Sequence, residues 1–170
     1  MKVLRQKELR KGQVWLQQGA VCDKFSFMEK GLAKVYFESG SKECVIGYAL
    51  ENDILLSAKS YFLQTPSEFS IRTIAPSVIS YFQYADIQFL LAKYPELNIH
   101  LRMIFQHSLA LHEKHLALMM MHPRERYDRM LLLYPAMVNG NRFTDRMLAA
   151  YIGVTHNCWS GYKNGGYAKK

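Results

Sequence analysis

Residues 145–164 read Asp-Arg-Met-Leu-Ala-Ala-Tyr-Ile-Gly-Val-Thr-His-Asn-Cys-Trp-Ser-Gly-Tyr-Lys-Asn, and this stretch decides the fold of the C-terminal part. Two short helices can cross steeply only if the residue at their contact is small, and Ala149 is there. The chain must then reverse, and Gly153 tolerates the positive φ such a turn needs. Thr155 follows where a hydroxyl can cap the second helix. Leu148, Ile152, Val154, Trp159 and Tyr162 supply the inward apolar positions. The order small, glycine, cap, apolar predicts a helix-turn-helix of the kind whose second helix enters a DNA groove. An ordinary helical hairpin has the same spacing and is the alternative. On the DNA reading, Thr155, His156, Asn157, Ser160 and Asn164 form the groove-facing side. Asn157 can bond adenine, and Ser160 a base or a phosphate. Arg124, Arg126, Arg142, Arg146 and Lys163 are the candidate phosphate contacts. Gly161 stands inside the second helix, offers no side chain to a base and weakens the helix by about 1 kcal/mol relative to alanine.

The charge agrees with a polyanionic partner. The chain has 170 residues and a formal net charge of +8. Residues 122–170 hold 8 basic and 3 acidic side chains, whereas residues 1–121 hold 14 and 11. Basic charge alone is weak evidence, but its concentration around the helix pair points to nucleic acid. Apolar residues make up 49% and charged ones 21%, an ordinary balance for a soluble folded protein. No apolar run approaches a membrane span, and the N-terminus lacks the apolar core of a signal peptide. A cytoplasmic protein with no membrane partner is expected. Cys22, Cys44 and Cys158 are scattered and odd in number, which excludes a disulfide framework or a four-cysteine metal site.

Before the helix pair the pattern changes twice. From residue 12 to about 82, short β-branched and aromatic runs alternate with turn signals every 8–12 residues. The runs are Gln13–Gln17, Phe25–Glu29, Leu32–Glu38, Glu43–Ala49, Phe69–Ile74 and Val78–Phe82, and they predict a closed or sandwiched antiparallel unit. Ala85–Tyr94 reads as a short helix stopped by Pro95. Glu96 to about Met121 reads as one long helix free of proline and glycine. Two apolar stripes run along it at heptad-like spacing. One is Leu97, Leu101, Ile104, Ser108, Leu111, His115 and Leu118; the other is Phe105, Leu109, His112, Leu116 and Met119. A surface helix needs one buried stripe, so the second predicts a partner chain. The first stripe, at Leu97, Leu101, Ile104, Leu111 and Leu118, is the expected dimer seam, with the other covering the β unit. A central helix buried on both sides in a monomer is the alternative. Arg124–Tyr134 is a further helix with Pro123 in its first turn. Residues 135–141 read as a link, Thr144 as a cap, and the tail after Asn164, with Gly165-Gly166, as frayed.

This order of strands, long helix and helix pair resembles the Crp/Fnr superfamily of transcription regulators over nearly the whole chain. Lys11-Gly12-Gln13-Val14 resembles the family's opening strand, and the stretch from Phe27 to Tyr36 its glycine-turn hairpin. Residues 51–54 and 64–71 resemble the segment lining its effector pocket. Glu125-Arg126-Tyr127 and Leu148–Thr155 resemble its DNA-binding half. The resemblance implies an α+β fold: an antiparallel β-roll of the cyclic-nucleotide-binding type, a long dimerisation helix, and a C-terminal helix-turn-helix, winged-helix-like, whole or truncated. It implies an effector-binding domain over 1–95, a dimerisation helix over 96–121 and a DNA-binding domain over 122–170. DNA, a second copy and an unknown small effector are the implied partners, and RNA polymerase is a further candidate. Ile54, Ser57, Phe62, Ser67, Glu68 and Phe69 would line the effector pocket.

Three departures from the family pattern matter. Members that bind cyclic AMP carry a glycine-glutamate pair and an arginine for the ribose and phosphate. Here Leu56-Ser57 and Ser67-Glu68-Phe69 stand there. A carboxylate cannot do the work of a cationic fork, so cyclic AMP is not expected and an uncharged or cationic ligand fits better. Gly161 stands where similar proteins usually have an arginine. The sequence starts just before the first strand, so the helical N-terminal lead common in the family is expected to be short or missing.

No paired-carboxylate, Ser/His/Asp or phosphate-loop arrangement is visible, so an enzyme is not expected. His112 and His115 stand at i,i+3 but not in HExxH spacing, and seam or surface roles are expected rather than a metal or cofactor site. The rival to a DNA-binding regulator is a ligand-binding or protein-interaction module that has lost DNA reading.

Overall fold

The computed structural model describes residues 3–165; the part of the expected frayed tail at 166–170 lies outside the described residues. The chain forms two compact units, residues 1–98 and 99–170.

The first unit is two antiparallel sheets. Strands β1 (Arg5–Leu9), β7 (Ser77–Gln83) and β3 (Lys24–Lys30) form one, in the order β1-β7-β3. Strands β2 (Val14–Leu16), β6 (Ser70–Thr73), β4 (Ala33–Ser39) and β5 (Lys42–Ala49) form the other, in the order β2-β6-β4-β5. Phe25, Met28, Tyr36, Leu55, Ile71 and Ile79 are fully buried. The β3–β4 turn depends on Gly31. Its φ is +119°, and a Cβ there would stand 2.2 Å from Ser77 Oγ and 2.6 Å from Ser77 Cα. Helices α1 (Ala58–Leu63) and α2 (Tyr84–Lys93) complete the unit. A reciprocal capping box between Gln83 and Asp86 starts α2, and Asp86 also pairs with Arg5 of β1.

The strand pattern holds between residues 14 and 83, with two additions. The first strand is Arg5–Leu9, not the segment opening at Lys11; residues 10–13 form a turn. Arg-Gln-Lys-Glu-Leu is polar at four of five positions because β1 is a sheet edge. Helix α1 interrupts the strands where no helical period is long enough to be seen.

The second unit takes in α3 (Leu97–Met119) from Ile99 onward, then α4 (Pro123–Leu133), α5 (Pro135–Asn139), α6 (Asp145–Tyr151) and α7 (His156–Lys163). The segment read as a link, 135–141, holds the short helix α5 with proline at its first turn. Tyr127, Met130, Met137, Phe143, Leu148, Ile152 and Trp159 are buried.

Gly31→Ala will destabilise the first unit by about 2 kcal/mol or more, since the added methyl meets Ser77 backbone as well as a left-handed φ. Gly40→Ala, at φ +62° with open space around its Cβ position, will cost less. Urea denaturation of the two variants checks the order.

Candidate nucleic-acid interface and effector region

Both helices of the pair are capped as their sequence requires. The Thr144 hydroxyl accepts from Met147 N at the start of α6, and the Thr155 hydroxyl from Cys158 N at the start of α7, at 3.2 Å. Between them Gly153 has φ +66°. A Cβ there would lie 2.7 Å from Met119 Cε and 3.3 Å from Arg126 Nη1, so glycine is needed for space as well as conformation. Ala149 is buried at the contact, and Trp159 anchors α7 with its ring 4.9 Å from Tyr127.

That anchoring leaves one face of α7 outward. At 100° per residue, His156, Asn157, Ser160, Lys163 and Asn164 share an arc of about 120°. Thr155, His156, Asn157, Lys163 and Asn164 are exposed, and Ser160 is half-buried. Asn164 Nδ2 donates to Ser160 Oγ at 3.4 Å. Arg142 and Arg146 are exposed at the entry to α6.

Three of the expected phosphate contacts have other work. Arg126 Nε donates to Met121 O at 2.8 Å and its Nη1 to Ile152 O at 3.1 Å. It ties the end of α3 to the end of α6, and its charge is directed inward. Arg124 lies over the rings of Tyr127 and Tyr162, at 5.6 and 5.5 Å, and pairs with Asp128. Lys163 Nζ grips both oxygens of Asp145, at 3.1 and 2.9 Å, so the last turn of α7 is clamped to the first turn of α6. The hydrogen bond from Lys163 holds the Asp145 carboxyl below its usual range. Trp159 Nε1 also faces that carboxylate without closing a bond of normal geometry, yet it favours the ionised form.

The two stripes of α3 divide differently from the expectation. Leu118, placed in the seam, is 1% exposed within the single chain and belongs to a core. Leu97, Leu101 and Ile104 are half-buried, and Leu111 is exposed. Leu109 and Leu116, assigned to the covered stripe, are 61% and 64% exposed. His115 stacks on Tyr151 of α6 with ring centroids 4.4 Å apart, and Tyr151 meets Tyr134 edge-on at 5.5 Å. The first stripe therefore turns into the second unit at its C-terminal end, while Leu109, His112 and Leu116 of the second face out and Phe105 and Met119 are half-buried.

The expected effector residues differ in burial and in what they contact. Ser57 and Ser67 are buried. Ser67 Oγ donates to Phe69 O at 2.8 Å and accepts from Phe69 N at 3.1 Å, which makes it a turn-former. Ile54 bridges to Phe27, and Phe69 is half-buried against Phe37. Phe62 is exposed, and so is Glu68, which pairs with Lys59 of α1. Lys59 and Arg126 carry roles that sequence spacing did not reveal, because each acts across a distance of several residues or between elements. Among the described residues no group of three or more His, Cys, Asp or Glu could hold a metal, and no helix is long and apolar enough to cross a membrane.

His115 has its pKa lowered, first by burial and second by His112, and its Nδ1 is buried without a partner. Its neutral form is therefore the folded form. The associated stability is complete above pH 6.5, the ordinary histidine value, and is lost as the pH falls through that value toward the lowered folded one. His115→Phe will flatten thermal stability between pH 7 and pH 5 relative to the parent. Parallel curves for the two proteins would show that the ring is not a titrating contributor.

Residues 6–94 match the cyclic nucleotide-binding domain family. No curated protein matches the chain. Among solved structures, FixK2 of Bradyrhizobium japonicum superposes with a TM-score of 0.79 at 14% identity, over 96% of this chain and 84% of its own. A CooA mutant of Carboxydothermus hydrogenoformans gives 0.73 at 15% identity, over 96% and 76%. CLP of Xanthomonas campestris, a c-di-GMP responsive global regulator, gives 0.73 at 17% identity, over 99% and 91%. These are Crp/Fnr-type regulators, and at these identities the likeness is one of fold. Since the matched residues make up more than half of the sequence, the chain belongs to the cyclic nucleotide-binding domain family.

Proposed function

We propose that this protein is a homodimeric, DNA-binding transcription regulator of the Crp/Fnr type, whose β-roll senses a small effector other than cyclic AMP. One observation carries the reading. The second helix of the pair buries Trp159 and turns His156, Asn157, Lys163 and Asn164 outward on one capped face. A helix anchored by one buried aromatic, with its exposed polar side chains gathered on an adjoining arc, can lie in a groove. Arg142 and Arg146 remain the phosphate contacts, and Lys163 joins them only by leaving Asp145. RNA polymerase is a further partner on this reading.

On this reading the dimer seam lies on α3 at the exposed Leu109 and Leu116 rather than at buried Leu118. The effector region carries the Glu68–Lys59 pair, and a carboxylate there disfavours an incoming phosphate.

Gel shifts of genomic fragments at about 0.15 M salt test DNA reading. Selected fragments will bind more tightly than random DNA, with affinity falling steeply as salt rises. Equal binding to random DNA, or none to titrate, would leave the module without DNA reading as the better account. In sedimentation equilibrium, Leu109→Glu combined with Leu116→Glu will halve the mass of the parent; an intact dimer places the seam elsewhere. Calorimetry with cyclic AMP will give no micromolar binding.

A further inference from the structure

A cleft of about 650 Å³ lies on the first unit, away from the residues expected for the effector. Its floor includes Leu9, Pro76 and Val78, and Arg10, Lys11 and Lys30 line it with Glu8 as the single carboxylate. Among the described residues no ion pair holds any of these three cations. Three positive charges against one negative, in a concave site with an apolar floor, favour an anion of two charges that also carries an organic part.

The cations are mounted on rigid backbone. The turn that carries Arg10 and Lys11 is fixed from β6. Gly12 N donates to Thr73 O at 2.8 Å, and the buried Thr73 hydroxyl donates to Arg10 O at 2.6 Å and accepts from Gln13 N at 3.1 Å. Arg10 N donates to Gln13 Oε1 at 2.7 Å, which leaves the Gln13 amide nitrogen as a further donor. Lys30 follows a bulge in β3 opposite β7, a device that re-aims a side chain, and the next residue is the sterically pinned Gly31. A fixed backbone leaves only the side chains to be ordered when a ligand arrives.

We propose that this cleft binds a small phosphate ester. The Arg10 fork takes two phosphate oxygens, Lys11 and Lys30 neutralise the remaining charge, and the organic group rests on Pro76 and Val78. The proposal rests neither on DNA binding nor on dimer formation, so it stands or falls apart from them.

Calorimetry of the full chain with phenyl phosphate and, separately, inorganic phosphate at about 0.15 M salt is the test. Phenyl phosphate will bind more tightly than inorganic phosphate. Arg10→Gln combined with Lys30→Gln will weaken it roughly tenfold, while Lys42→Gln, outside the cleft, will not. Glu8→Gln will tighten it. Because all four positions are exposed, circular dichroism will show each variant folded. Equal affinity for the two anions reduces the site to an inorganic anion patch and overturns the ester. Equal loss in Lys42→Gln and the double variant would reduce the effect to net charge, and no binding by the parent overturns the proposal outright.

Discussion

The second unit depends on the guanidinium of Arg126. It donates to a carbonyl just past the end of α3 and to the C-cap carbonyl of α6. These carbonyls lie at helix ends, where backbone acceptors lack partners within the helix and the helix dipoles are negative. One cation therefore satisfies two chain ends and complements both dipoles. Lysine could not replace it, because a single ammonium on a flexible stem does not present two diverging donors in a fixed plane. The glycine at 153 belongs to the same device: a side chain there would crowd both Arg126 Nη1 and Met119. What the sequence offers as a turn rule is also a clearance for the arginine.

The first unit solves the same problem with hydroxyls. Its irregular segments bring backbone donors under the sheets, where a lost partner costs about 1–3 kcal/mol each. Ser70 Oγ accepts from Gln18 N, Ser60 Oγ from Cys22 N, and Thr73 Oγ1 from Gln13 N. Each of these three side chains is buried. A row of small polar residues in a roll is thus consistent with a structural role, and Ser67, which closes on Phe69, belongs with them. A hydroxyl satisfied by its own loop has little left for a ligand.

Legibility followed the range over which each signal acts. Caps, the turn glycine and the buried positions of 145–164 are local rules, and Thr144, Thr155, Gly153, Ala149 and Trp159 all stand where those rules put them. The hairpin turn at Gly31 was equally local. Strand β1 was not legible, because an edge strand needs only one buried side chain, here Leu9. Helix α1 spans six residues, too few for a period of 3.6 to repeat twice. On α3, the side that His115 turns inward is set by Tyr151, 36 positions further along the chain, which stacks on it. Charge had the same limit. Composition places cations near the helix pair, yet only folding shows that Arg126 faces two carbonyls and Lys163 a carboxylate.

The Lys59–Glu68 pair shows how the charge of an exposed segment can vary without changing the fold. Both side chains are more than half exposed, and pairs of that kind contribute about 0–1 kcal/mol to stability. The backbone around them is held by other means: Ser67 N donates to Ala20 O, Gly19 N donates to Ser67 O, and Val21 bridges to Pro66. Charge at position 68 is therefore free to vary, since little of the fold is built on it. A carboxylate there repels an incoming phosphate over a few ångströms, and Lys59 offsets that repulsion only while it remains paired. The charge of this segment is accordingly adjustable, whereas its shape is fixed by backbone hydrogen bonds in which the side chain at 68 takes no part.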